Sequence, residues 1–151
     1  MDHPKFFGRN SEEVAKDLLG RIIVVKKPTG TVLGKVTETG AYEGGQETEQ
    51  RKGMKYGPAA LFLMGYRGSG LFNIATEKKG YPSCVEVREI EIDEKRVKGS
   101  GKVSNALGIT QDLDGLVLGE KIQIIGEPID SSQIRRRKGD SDNCLGYYSI
   151  M

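Results

Sequence analysis

Apolar positions along the chain follow two rhythms. In "NSEEVAKDLLG", residues 10–20, Val14 and Leu18 with Ala15 and Leu19 form one stripe at helical spacing. Asn10 is placed to cap that helix, Glu13 to complete a capping box and Gly20 to end it. From there the period shortens to that of strands. "RIIVVKK", the turn "PTGT" and "VLGKVTETG" predict a first hairpin; "AALFLMG" and "GLFNIAT", separated by "YRGS", predict a second. "SCVEVREIEI", 83–92, alternates but changes phase near Arg88 and Glu89, which predicts a bulge. "KVSNALGI", 102–109, predicts a short helix, while "EKIQIIGEP" and "GYYSIM" predict two late strands. One helix followed by many strands with small helical insertions points to an α+β fold: a single domain over residues 1–151 on a curved, mainly antiparallel sheet.

One residue interrupts this pattern. Gly40 stands in "TETGAYEGG", inside a strand, where glycine weakens the ladder and marks either a bulge or the close approach of another group. Tyr42 follows it, an aromatic where a groove would use one.

Composition narrows the chemistry. With 151 residues the chain is long enough for one sizeable core. Its 23 Lys and Arg against 21 Asp and Glu give a net charge of +2, uninformative as a total. The charges are segregated, however: Arg51-Lys52, Lys78-Lys79, Lys95-Arg96-Val97-Lys98 and Arg135-Arg136-Arg137-Lys138 are basic runs, and Glu43 to Glu49 and Glu86 to Glu94 are acidic stretches. Such a division suits a polyanion partner as well as ordinary solvated faces. Cys84 and Cys144 lack CxxC or histidine neighbours, so reduced thiols are expected and neither a zinc site nor a disulfide framework. The only histidine, His3, is expected in a frayed N-terminus, which argues against histidine-based triads and leaves catalysis to carboxylates, hydroxyls, amides or cations. No metal or cofactor is expected. No apolar run approaches a membrane span and no signal peptide is apparent, so a cytoplasmic protein is expected, nucleoid- or nucleus-associated according to its host.

"GYRGSG" is glycine-rich but lacks the lysine and following helix of a phosphate-binding loop. It reads as a hairpin tip carrying Tyr66 beside Arg67, either a tyrosine packed over its own hairpin or an aromatic-cation pair suited to wedging between nucleobases while a guanidinium meets phosphate.

The ordered runs "AKDLLGRIIV", "GKVTETGAYEG", "RKGMKYGPAALFLMGYRGSGLFNIAT", "SCVEVREIEI" and "KGSGKVSNALGI" together resemble the alkyladenine (3-methyladenine) DNA glycosylase family of base-excision repair, over about residues 12–126. The resemblance implies a mixed α/β domain on a curved antiparallel sheet that binds duplex DNA and flips a damaged purine into a pocket. It also assigns roles. Tyr66 matches the intercalating tyrosine, Asn73 the asparagine that discriminates among purines, Arg88 the arginine near the flipped nucleotide, and Tyr42 the tyrosine stacking on the extruded base. Lys102 falls where a backbone-contacting group is expected.

The family strand reads "ETEAY", and its second glutamate activates the attacking water; that position here is Gly40. The family's pocket histidine has no counterpart in "EGGQETEQRKG", and a second pocket tyrosine is replaced by Leu63. Two carboxylates are candidates to substitute as the catalytic base: Glu38, roughly 6.5–7 Å along the strand from the lost position, and Glu43 beyond it. For both, a solvated or ion-paired carboxylate is the more ordinary reading. Three functions follow as expectations: a damaged-purine glycosylase acting on duplex DNA as a monomer, a DNA-binding relative without turnover, and an RNA-binding or protein-interaction module on the same scaffold.

Overall fold

A computed structural model describes residues 1–43, 56–65, 70–141 and 143–151. Among these residues, three α-helices, α1 (His3–Phe7), α2 (Ser11–Leu18) and α3 (Ser100–Leu107), accompany nine strands: β1 (Ile22–Lys27), β2 (Gly30–Tyr42), β3 (Leu61–Met64), β4 (Leu71–Ala75), β5 (Cys84–Ile92), β6 (Lys95–Lys98), β7 (Ile122–Ile125), β8 (Ile134–Arg137) and β9 (Cys144–Ile150). All join one curled antiparallel sheet, the α+β class expected from the sequence.

The long strands β2 and β5 form its spine. β1 pairs with the first half of β2 and β9 with the second half, along the same edge. On the far edge of β5, β4 and β6 follow each other in the same way. The spine therefore carries two short strands on each side, so one face of its middle section is bordered by β6 on one side and by β9 with β8 on the other.

The expected phase change is present, and it occurs on both spine strands. Register runs from Val36 opposite Ile90, through Glu38 opposite Glu89, to Thr39 opposite Val87. Each strand thus contains one extra residue at the same level. Val36, Thr39, Ala41, Val85, Val87 and Ile90 remain buried. The irregularity releases Thr37, Glu38, Arg88 and Glu89 from the alternation of the core face, and all four engage polar partners. Gly40, two residues further on, lies in regular pairing with Glu86 and Tyr147, so it is not the bulge.

Helix α2 covers the apolar face with Val14, Ala15 and Leu18, and the Asn10 side chain accepts the Glu13 amide as the capping signature predicts. The expected helix over 102–109 is α3, begun two residues earlier.

His3 corrects a sequence-based expectation. Rather than fraying, residues 3–7 form α1, capped by Asp2, and His3 is buried with Nε2 accepting the Ile124 amide at 3.0 Å. Burial lowers its pKa below the ordinary 6.5. The unfolded chain therefore binds this proton first as pH falls, so the neutral imidazole's contribution is complete above pH 6.5 and is lost as pH drops through the lower folded value. The thermal midpoint is expected to fall on acidification from about pH 7 to about pH 5, and to fall less in His3→Leu. Equal slopes in the two proteins would refute the assignment.

Candidate nucleic-acid interface

The spine face opposite the core is polar because five strands place side chains there in register. Glu38, Gly40 and Tyr42 alternate along β2; Gly40 lies opposite Glu86 on β5 and Tyr147 on β9, Glu86 lies opposite Asn73 on β4, and Tyr147 lies opposite Arg137 on β8.

Two carboxylates and two guanidiniums organise this face. Glu38 Oε1 accepts from Arg88 Nε and from Arg137 Nη2, both at 3.0 Å. Arg88 Nη1 donates at 2.9 Å to Glu86 Oε1, which also accepts the Tyr42 hydroxyl at 3.2 Å, while Ser100 Oγ, at the start of α3, donates to Glu86 Oε2 at 2.7 Å. Glu38 and Glu86 are 7% and 8% exposed, and charges so placed need these partners. Burial works against the Arg88 charge, but the two carboxylates outweigh it and raise the Arg88 pKa further. Burial, and then the Glu86 charge, push the Tyr42 hydroxyl far above its ordinary value, so it remains a neutral donor.

Gly40 is explained by what lies in front of it. A Cβ built there would stand 3.1 and 3.2 Å from Tyr147 Cδ1 and Cε1 and 3.3 Å from Arg88 Cδ. The glycine permits close approach. The Tyr147 ring carries the Arg88 guanidinium 3.8 Å from its centroid and that of Arg137 at 4.7 Å, and its hydroxyl donates to Asp140. Burial and the Asp140 carboxylate push the Tyr147 pKa up to about 12.

The residues singled out in the sequence separate accordingly. Glu38, Tyr42, Asn73 and Arg88 share this face. Asn73 is buried, with Nδ2 donating to the Leu71 carbonyl and Oδ1 accepting from Cys84. Leu63 does not join them: it lies opposite Phe72 and belongs to the apolar core, its amide donating to Asp114. Glu43 follows β2, half-buried, its amide donating to the Asn143 carbonyl. Lys102 is exposed on the first turn of α3. Tyr66 and Arg67 lie outside the described residues. Both cysteines are buried, and among the described residues neither forms a disulfide.

Glu86, Arg137, Tyr147 and Asp140 were not singled out. The signal for the ring was Gly40 itself, since a strand glycine without a bulge calls for a bulky neighbour. Arg137 was hidden in a run readable only as charge. Among the described residues, no group of three or more His, Cys, Asp or Glu is placed to hold a metal ion.

Beside Glu38 the same face continues into a cleft of about 330 Å³, floored by Thr37, Glu38 and Glu89 and walled by β6 and by β8 with β9.

Comparison with known proteins places these residues in context. A family model described as methylpurine-DNA glycosylase matches residues 5–139. Relatives provisionally named as 3-methyladenine DNA glycosylases include one from Methanocella arvoryzae, 33% identical over 137 residues covering 73% of this chain and 68% of that protein. Another, from Salinibacter ruber, is 30% identical over 169 residues, covering 87% and 82%. A third, from Anaeromyxobacter sp., is 31% identical over 123 residues, covering 73% of this chain and 63% of that protein.

Proposed function

The chain belongs to the methylpurine-DNA glycosylase family, and from that membership we propose that it binds duplex DNA, extrudes an N-alkylated purine nucleotide onto the polar face of β2 and β5, and hydrolyses its N-glycosidic bond. Extrusion costs a few kcal/mol of unstacking, least at a damaged base. In this reading Tyr66 fills the vacated stack with Arg67 toward phosphate, Tyr42 stacks on the extruded base, Asn73 discriminates at its edge, and Arg88 lies beside the sugar. Lys102 meets the backbone. The observation that carries the reading is the register that sets Tyr42, Gly40 and Glu38 beside Glu86 and Asn73 on one face.

The same face narrows the substrate. Cleavage leaves positive charge on the sugar and electrons on the departing base. An N-alkylpurine already carries positive charge and departs neutral without a proton donor, whereas hypoxanthine calls for protonation. Glu38 and Glu86 supply negative charge toward the sugar, reduced by their arginines. Slow release of N-alkylpurines and none of hypoxanthine is the expected specificity.

A second reading, recognition of damaged duplex without turnover, is favoured by the Tyr147 ring and Arg88 side chain in front of Gly40. Single-turnover release of free base, measured on duplexes bearing 7-methylguanine or hypoxanthine together with binding to each, separates the two. Release from the methylated duplex alone supports the first reading; preferential binding of that duplex with no release above spontaneous loss supports the second. Absence of both would overturn each.

A further inference from the structure

The cleft beside Glu38 has an organisation that neither base recognition nor hydrolysis requires. Two basic runs form its walls, and both are strands. In β6, Lys98 lies opposite Glu89 and Arg96 opposite Glu91; in β8, Arg135 lies opposite Ser149 and Arg137 opposite Tyr147. Every second residue of each run is thereby turned to the polar face, presenting Arg96, Lys98, Arg135 and Arg137, and Lys35 joins them from β2 opposite Glu91.

The charges do not balance within the cleft. Glu38 is held by Arg88 and Arg137. Glu89 accepts the Thr37 hydroxyl at 2.8 Å and has the exposed Arg96 at 3.7 Å. The two carboxylates on the floor are thus already engaged. Lys35, Lys98 and Arg135 line the cleft and are exposed, and among the described residues none of them forms an ion pair. Glu91 also lines the cleft, opposite Lys35 and Arg96, so Glu89 and Glu91 stand against Lys35, Arg96, Lys98 and Arg135; with Glu38 already held by Arg88 and Arg137, the cleft keeps an excess of two cations.

We infer that this cleft seats a phosphodiester of the DNA strand, held by Lys35, Lys98 and Arg135. The inference rests on the reading of duplex DNA as partner. Charge complementarity supports this occupant, and so does continuity: Glu38 belongs both to the cleft and, through Arg88, to the face bearing Gly40 and Tyr42. A strand delivering a nucleotide to that face passes along the same bordered section of the sheet. Because the cations meet backbone rather than bases, they fix position and add affinity on any sequence.

The test is the salt dependence of duplex binding by the full chain. In Lys98→Gln/Arg135→Gln, the slope of log K against log salt is expected to flatten by about 0.9, the value for one phosphate no longer neutralised, equally on damaged and undamaged duplexes. Lys26→Gln/Lys121→Gln, on β1 and beside the outer strand β7, serves as the charge-matched control and should leave the slope unchanged. Since the substituted side chains are exposed, thermal midpoints should match the parent protein and exclude misfolding. Parental duplex binding with an unaltered slope in Lys98→Gln/Arg135→Gln would overturn the phosphate seat while leaving the proposed function standing. A wild-type chain that binds no duplex at low salt would overturn both.

Discussion

Arg88→Leu is expected to lower the unfolding free energy by about 3 kcal/mol, the low end of the cost of removing one partner from a buried ion pair. The low end applies because the Arg88 side chain is 27% exposed, although its two carboxylates are nearly enclosed. Glu38 would keep Arg137. Glu86 would keep only the Tyr42 and Ser100 hydroxyls, neutral donors facing a buried charge. Leucine also loses the guanidinium stacked on Tyr147. Adding Glu86→Gln should recover part of the loss, since the amide still accepts those hydroxyls but brings no uncompensated charge. Urea unfolding of both single variants and the double variant measures the coupling; strict additivity would show that Arg88 does not hold Glu86 in place.

The network around Arg88 shows why the fold was more legible than the site. Core-facing elements declare themselves by period. Val14 and Leu18 set the α2 stripe, Asn10 sets its start, and Val85, Val87 and Ile90 carry both the strand and its change of phase. Elements at the margin do not. β6 and β8 are short and made largely of cations, the composition that keeps edge strands from pairing with other chains and that, read along a sequence, resembles a solvated run. Helix α1 has five residues and includes Pro4, so burial of His3 and Phe7 rather than propensity accounts for it.

In the site, Tyr42, Asn73 and Arg88 were accessible through motif spacing, but the partners of Arg88 depend on pairing between distant strands. "GYYSI" contains two adjacent tyrosines, and only the register of β9 sends Tyr148 toward the core, its hydroxyl on Glu12, and Tyr147 to the polar face. Leu63 shows the reverse difficulty. Its alignment with a pocket tyrosine says nothing about direction, and pairing with Phe72 turns it into the core.

Restoring a glutamate at position 40 is expected to give no catalytic gain by itself. The backbone there is ordinary strand, outside the left-handed region, so the obstacle is steric. The first added carbon would already press on the Tyr147 ring and the Arg88 stem at 3.1–3.3 Å, and the remaining side chain would need the volume they fill. Overpacking of this kind costs about 1–3 kcal/mol, which Gly40→Ala should show as a lower thermal midpoint. Gly40→Glu should be at least as destabilised and should release no more base from methylated duplex than the parent chain.

Room for the carboxylate requires a second change. Tyr147→Ala removes the ring, and in Gly40→Glu/Tyr147→Ala the new carboxylate would meet the Arg88 guanidinium beside the sugar position, where a base activating water contributes about 10²–10⁴-fold. Even with imperfect placement, single-turnover release is expected to rise at least about tenfold over Tyr147→Ala alone. Losing the ring costs stability, about 3–5 kcal/mol for a large buried aromatic, so rates should be normalised to the fraction competent to bind damaged duplex. Equal rates in the double variant and Tyr147→Ala, with both binding, would mean that this face no longer positions a sugar for attack. A gain in Gly40→Glu alone, with an unchanged thermal midpoint, would mean that Tyr147 and Arg88 yield freely and that the packing in front of Gly40 is no barrier to the chemistry.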